Sequence, residues 1–481
     1  MHLVGRREFM KQSAAVTLGL MTASLPGRVL GANEAVRVGV IGVGSNGSNL
    51  AERVNKLPGT RLVAMADPDP AYHMDALKDK LAKAETPVNV ETMVDFRRLL
   101  DRKDIDAVVI ASPNYWHVLH SIYALQAGKH VYVEKPVSHN VWEGRQLVKL
   151  AKKSNRVVEV GIHHRSRECW PQIMDYLKEG NLGRVLTSRG LCYRLRDSIG
   201  KRDVPLTPPA TCDYNLWLGP AQEEPIMRPN FHYDWHWVWN TGNGDLGNQG
   251  VHQIDISRWL IGQNRYPAHI FSVGGRFGYE DAGQTPNTQV LYFDYKPVPL
   301  IFEVRNLPVE PGIRAMPLFK NARVGSILEC EGGYISESAA YDNDGKRIRR
   351  FEDNGGGNHL GGFIEAVRSN QPDKAACPIE DGHLSSALCH FGNISYRIGQ
   401  NALPEEVSER VKDQPLVAEA WQRCCENLKI NAVDLTEKKA VLGAALTIDN
   451  DAEQVTGPFA EAANPLLRRT CRAPWIVPEI A

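Results

Sequence analysis

Between residues 36 and 160, short apolar runs of strand length alternate with amphipathic stretches of helix length. Strands are expected over residues 36–41, 62–66, 107–110, 130–133 and 157–160. Helices are expected over 50–57, 72–84, 93–100, 118–127 and 141–152. Strand and helix in strict alternation predict an α/β domain built on a doubly wound parallel sheet. Near Gly161 the texture changes. Residues 186–337 are richer in Trp, Pro and Gly and carry short β-like runs, among them 290–295 and 300–304, which predicts an α+β domain with a large, mostly antiparallel sheet and one face available for a ligand. Helical patterns resume at 363–368, 385–399 and 417–430. The expected divisions are a leading segment 1–32, a nucleotide-binding domain 33–160, a substrate-binding and oligomerisation domain 161–400 and a C-terminal extension 401–481.

The first strand runs into Gly42-Val43-Gly44-Ser45-Asn46-Gly47, and the second ends on Asp67. Gly42 permits a tight turn, Gly44 lets backbone N–H groups approach a pyrophosphate, and Gly47 permits close packing of helix on strand. The helix N-terminus adds unpaired N–H groups and a positive dipole end. Asp67 stands where a carboxylate accepts the ribose 2′-OH of NAD and repels the 2′-phosphate of NADP. The order strand, glycine turn, helix, strand, acid predicts an NAD site, with Ser45 and Asn46 beside the phosphates.

Composition narrows the class. Lys plus Arg (56) balance Asp plus Glu (56), which excludes a dedicated nucleic-acid binder or a disordered chain. The nine cysteines carry no C-x-x-C and no metal-like spacing. Gly5-Arg6-Arg7-Glu8-Phe9-Met10-Lys11 followed by the mildly apolar 14–23 reads as a twin-arginine export signal, too short for stable membrane insertion. It predicts a periplasmic or extracytoplasmic protein that meets the twin-arginine export machinery folded, with its cofactor loaded and held tightly.

Three clusters can carry chemistry. Glu134-Lys135-Pro136 ends a strand of the nucleotide domain, where the Lys135 ammonium can stabilise an alkoxide as hydride leaves its carbon; a surface lysine before a turn is the plain alternative. In 244-GDLGNQGVHQID-255 a helix from Val251 places Asn248 and His252 on one face and Asp255 a turn further on. An imidazole suits proton transfer from an alcohol. In 231-FHYDWHWVW-239 an extended backbone would put His232, Asp234 and His236 on one face and the aromatic residues, Trp239 among them, on the other. That face resembles a metal facial triad, but hydrogen-bonding groups of a wet sugar pocket are the preferred reading, with no metal, beside a Trp-rich core strand as the alternative.

These motifs resemble the glucose-fructose oxidoreductase, inositol dehydrogenase and rhizopine catabolism family (Gfo/Idh/MocA), over about residues 35–400. The resemblance rests on the glycine run, on Ser112-Pro113-Asn114 with His117, on Glu134-Lys135-Pro136 and on Gly250-Val251-His252-Gln253-Ile254-Asp255. It implies NAD or NADP on the first domain, a sheet that forms substrate wall and subunit interface in a dimer or tetramer, Lys135 and His252 beside the nicotinamide, and a sugar or cyclitol substrate; the choice of NAD over NADP rests on Asp67. It also brings His163, His164 and Arg165 to the border of nicotinamide and substrate. One departure matters: dehydrogenases of the family usually carry Asp four residues before the histidine, where this chain has Asn248, and an amide positions a hydroxyl without taking its proton.

The leading expectation is hydride transfer between a secondary alcohol of a sugar, glycoside or cyclitol and retained NAD(H), with Lys135 and His252 catalytic and Asn248, His236, Trp239, His164, Arg165 and Asp255 around the substrate. The alternatives are an NAD-dependent glycosidase that oxidises C3 transiently and eliminates the C1 substituent, and a non-catalytic sugar- or cofactor-binding protein.

Overall fold

The computed structural model describes residues 35–84 and 87–481, so the twin-arginine segment lies outside the described residues. Six strands form the first sheet: β1 (Val36–Ile41), β2 (Thr60–Ala66), β3 (Glu91–Met93), β4 (Ala107–Ile110), β5 (His130–Val133) and β6 (Val158–Val160). Their order is β3-β2-β1-β4-β5-β6, and every pairing is parallel. The β-branched runs explain this placement. Each residue of β4 is fully buried, as a strand covered by helices on both faces must be. Strand order reverses between β1 and β4, so the crevice outside their carboxyl ends is the place where such sheets take ligands.

The second sheet has twelve strands: β7 (Val185–Tyr193), β8 (His269–Gly275), β9 (Thr288–Phe293), β10 (Leu300–Arg305), β11 (Val324–Cys330), β12 (Gly333–Ser336), β13 (Ala339–Tyr341), β14 (Arg347–Arg350), β15 (Gln400–Ala402), β16 (Ala440–Leu442), β17 (Leu446–Asp449) and β18 (Gln454–Thr456). The main path is β14-β13-β12-β11-β7-β10-β9-β8-β16-β15, and only β7 and β10 run parallel. Helices Val251–Leu260 and Ile379–Arg397 pack against one face; Ile379–Arg397 also packs on Val141–Ser154 of the first domain, which ties the two units together.

The expectation of an open second face needs correction. Helix Pro415–Ile430 presents Val417, Ala420, Trp421, Cys424 and Leu428 to Phe271, Val290 and Ile301, so part of that face is a core of its own. The residues after 400 are also woven through the molecule: β16 pairs with β8, and the last stretch returns to the nucleotide domain. There Trp475 is buried against Trp116, ring centroids 5.0 Å apart, and the Gln146 side chain accepts from the Ile480 N–H at 2.8 Å.

Residues 231–239 are not a strand. A turn leads into a short 3-10 helix, Asp234–Trp237, so the expected alternation of faces is lost. The rings pair locally instead: Trp235 stacks on His236 at 3.6 Å, and the Trp235 indole N–H is taken by the His232 carbonyl at 3.0 Å.

Candidate functional site

A cleft of about 550 Å³ opens at the carboxyl ends of β1, β2, β4 and β5 and is closed on its far side by the second domain. The three motif glycines play different parts in it. Gly42 has φ +84°, and a Cβ there would lie 2.4 Å from the Ser112 backbone nitrogen; a Cβ on Gly47 would lie 1.9 Å from the Gly42 carbonyl oxygen. Both are required by packing of the chain on itself. Gly44 differs: no atom lies within 4 Å of its would-be Cβ, and the space belongs to the cleft at the start of helix Ser45–Lys56. That cradle, empty of protein and facing helical N–H groups, fits a pyrophosphate.

Asp67 lines the same cleft. Its carboxylate accepts from the N–H of Val43 at 2.6 Å and of Asp69 at 2.9 Å, so it also anchors the glycine turn. Burial outweighs those two bonds and pushes its pKa up to about 6. Beyond it Tyr72 stacks on His232, centroids 3.6 Å apart, and His232 Nε2 lies 3.0 Å from Asp69, which brings the second domain over this end of the cleft. Asp67→Ser is expected to raise the ratio of NADP to NAD affinity at least tenfold, because the anion that repels a 2′-phosphate is gone; titration of the emptied protein with each dinucleotide measures it.

The β4 end supplies Ser112, Pro113 and Asn114. The Asn114 amide donates to Asn243 of the second domain at 2.6 Å, and His117 spans two loops, its Nδ1 2.7 Å from the Pro136 carbonyl and its Nε2 2.8 Å from that of Ser112. His117 thus braces the floor of the cleft, and burial lowers its pKa to about 4.

At the β5 end, Lys135 Nζ crosses to the second domain and donates to the Asn248 carbonyl at 2.6 Å. This carbonyl is available because Leu246–Gly250 is a π-helical turn ahead of helix Val251–Leu260, and such turns leave the regular ladder. Burial lowers the Lys135 pKa; Glu134 opposes this, while Arg194 and Arg196 add to it. His252 lines the same wall and stacks on His164, centroids 5.0 Å apart, with His163 edge-on at 4.9 Å. Burial, reinforced by Lys135 and these two imidazoles, holds His252 well below the ordinary histidine pKa, so it is a neutral ring. Among the described residues its Nδ1 is buried without a partner. Asn248 and His236 also face the cleft, and His236 is held neutral by burial, its pKa lowered to about 3.

Four of the expected substrate contacts lie elsewhere. Arg165 and Asp255 are buried against each other, Nε to Oδ2 at 2.7 Å and Nη2 to Oδ1 at 2.9 Å, with Ser385 donating to Asp255 at 2.7 Å. Burial opposes ionisation of Asp255, but Arg165 and Arg258 outweigh it and hold its pKa below 3.8. A charge this deep needs a countercharge, and the pair found each other rather than a ligand. His164 stands behind His252. Trp239 faces a separate pocket on the other side of Asn243 because the 3-10 turn re-aims the chain. Asp255→Ala is expected to lower stability by about 3 kcal/mol, because the buried Arg165 and Arg258 are left to share the single carboxylate of Asp381, 3.0 and 3.1 Å away. That contribution is complete above pH 3.8 and is lost only as pH falls through the depressed pKa; denaturant melts at pH 7 check the magnitude.

Sequence reasoning missed Arg194, which follows β7, lines the cleft and bonds the Gln249 side chain, and the aromatic wall of Trp116 and Trp217. No motif flags them, since strands and helices far apart in the chain bring them together. His232, Asp234 and His236 are not gathered, and among the described residues no three His, Cys, Asp or Glu side chains are grouped to hold a metal.

A glycine cradle, an acid at the β2 end and a lysine-histidine wall facing them define a dinucleotide-binding protein of oxidoreductase architecture. Family models agree: one described as the oxidoreductase family's NAD-binding Rossmann fold matches residues 36–162, and one for its C-terminal alpha/beta domain matches 185–294. The chain belongs to the Gfo/Idh/MocA oxidoreductase family. Among curated relatives, glycosyl hydrolase family 109 protein 1 of Shewanella sp. (strain ANA-3) is 31% identical over 210 residues, and an alpha-N-acetylgalactosaminidase of Shewanella oneidensis is 30% identical. Each match covers 39% of this chain and 45% of the relative, so the chain spans about half the length of these relatives. Among solved structures, myo-inositol 2-dehydrogenase from Lactobacillus plantarum superposes with TM-score 0.54 at 18% identity, covering 76% of this chain and 98% of that one. Aldose-aldose oxidoreductase from Caulobacter crescentus gives 0.54 at 14% identity, over 75% and 98%. These likenesses establish the fold.

Proposed function

We propose that the protein transfers hydride between a secondary alcohol carbon of a sugar, glycoside or cyclitol and a tightly held NAD(H). The observation that carries this reading is that Lys135 and His252, from different domains, line the same cleft as the open space at Gly44. NAD, when bound, supplies the hydride acceptor. Lys135 then donates to the reacting hydroxyl oxygen and stabilises the negative charge that grows there. His252, held neutral by burial and lining the cleft beside Lys135, is the group placed to take the hydroxyl proton. Asn248 positions a neighbouring hydroxyl through its amide. Because burial keeps the base far below the ordinary histidine pKa, kcat is expected to stay level as pH drops from 8 to 6, where an exposed imidazole would lose activity.

The purified protein is denatured and the released nucleotide identified; the native protein is then saturated with hexoses, uronates, cyclitols and glycosides while reduced-nicotinamide absorbance is followed. Released NAD with an absorbance rise on at least one substrate supports the reading, and silence across the whole panel overturns it.

The curated relatives favour a second reading, a glycosidase that oxidises C3, eliminates the C1 substituent and reduces again. Aryl-glycoside cleavage without net change of cofactor selects it; retention of C2 deuterium through cleavage excludes it. Export by the twin-arginine route and a dimeric or tetrameric assembly belong to the same proposal. Fractionation of cells expressing an Arg6→Lys, Arg7→Lys variant tests the first, and light scattering of the purified protein tests the second.

A further inference from the structure

Behind the dinucleotide cleft lies a second pocket of about 350 Å³, in the roughly 300–1,000 Å³ range of small-molecule sites. The two share one lining residue. Asn243 lines both, accepting from Asn114 at 2.6 Å and donating to the His139 carbonyl at 3.1 Å. The far wall comes from the C-terminal residues 466–470, which no motif singled out.

The chemistry of this pocket is unusual for an interior. Asn140, His390 and Asn393 are 5%, 4% and 4% exposed, and each has a buried polar atom without a partner among the described residues: Asn140 Nδ2, His390 Nδ1 and Asn393 Oδ1. His139 Nδ1 and Arg469 Nη1 add two more. The remaining atoms of these groups are engaged, which fixes what is left over. Asn140 Oδ1 accepts from the Glu143 N–H at 3.0 Å, Asn393 Nδ2 donates to the Asn243 carbonyl at 2.9 Å, and His139 Nε2 lies 3.0 Å from the Trp239 carbonyl, to which it must donate. Hence Asn140 and Arg469 offer donors, while His139 and Asn393 offer acceptors.

Unpaired buried polar atoms cost free energy unless something meets them. A mixed set of donors and acceptors does not suit a simple anion, which needs donors only, or a cation, which needs acceptors only. Hydroxyl groups do both at once. Trp239 adds an indole at the wall, with the Arg397 guanidinium 5.1 Å from its ring centre, and aromatic surface packs on the C–H faces of a pyranose. We propose that this pocket is a second saccharide-binding site, distinct from the dinucleotide cleft and contributed jointly by the two domains and the C-terminal residues. It takes a polyhydroxylated ring packed against Trp239 with Arg397 at its edge, and small side-chain shifts on binding bring its hydroxyls to His139 Nδ1 and Asn393 Oδ1, which are buried in the free protein.

The test uses the full-length protein and a panel of methyl hexosides, methyl N-acetylhexosaminides and glucuronate. Calorimetric titration is made on wild type, on Trp239→Ala, on Asn393→Leu and on Lys135→Met, each checked for native circular dichroism, and crystals of the wild type are soaked with the same sugars. The expected result is binding that falls at least tenfold in Trp239→Ala and survives in Lys135→Met, with a sugar ring lying against Trp239 in the soaked crystals. Neutral sugars binding as well as glucuronate would assign the hydroxyls the main role, and preferential binding of glucuronate would assign Arg397 a share; either supports the site. The proposal is overturned by no binding across the panel, by equal affinity of wild type and Trp239→Ala, or by crystals in which ordered water alone meets His139, Asn140, His390 and Asn393. Should Asn393→Leu fail to fold, Trp239→Ala decides, because that side chain is only partly buried.

Discussion

Lys135→Met is expected to lower kcat/KM for the responsive sugar by roughly 10²–10³-fold, the loss that follows removal of one charged or hydrogen-bonding stabiliser of a developing oxyanion. The ammonium is placed for this by two domains at once: β5 delivers it and the Asn248 carbonyl of the π-turn orients it, 2.6 Å away. Methionine has similar length and no donor, so the cleft keeps its shape while the charge disappears. The Asn248 carbonyl loses its partner, which costs about 1–3 kcal/mol of local stability if water does not replace it. The nucleotide released on denaturation should therefore be unchanged in amount while turnover collapses. Activity that stays within about threefold of wild type would remove Lys135 from the chemistry and favour a protein that only binds sugar or cofactor.

The second large effect separates two glycines that sit two residues apart. Gly44→Ala is expected to leave the melting temperature near that of wild type, since its φ of −67° suits alanine and nothing lies within 4 Å of the added carbon. It should nonetheless weaken NAD binding on the order of 10²-fold, because the methyl group fills the space through which backbone N–H groups reach the pyrophosphate. Gly42→Ala should do the reverse in kind. Its φ of +84° and the Ser112 nitrogen 2.4 Å from the new Cβ force the backbone to move, and the folded state itself is lost or lowered by several kcal/mol. Thermal melts together with the released nucleotide distinguish the two. Full nucleotide retention in Gly44→Ala would make the glycine run a structural turn and nothing more.

Much of the architecture was legible beforehand. Strands β1, β2, β4, β5 and β6 announce themselves through β-branched runs of the right length, and the intervening helices through their period, because in a sheet covered on both faces local pattern and final burial coincide. Residues 231–239 show where that logic stops. Alternating aromatic and polar residues imply a strand, yet the rings stack on their sequence neighbours in a 3-10 turn, and this moves Trp239 out of the cleft. Asp255 and Arg165 show it again, since residues 90 positions apart pair only after the helix Val251–Leu260 has docked.

What the amino-acid order alone determined is the nucleotide half: a strand, a glycine turn, a helix and an acid are neighbours in the chain, so their short-range geometry follows from local backbone preference. What only the tertiary structure decided is the wall facing it. Lys135 meets the carbonyl of a residue 113 positions away, His252 rests on His164 from another element, and the C-terminal residues close a pocket that begins at His139. Such contacts depend on how two sheets and their helices pack, a long-range outcome of hydrophobic burial that no local spacing encodes.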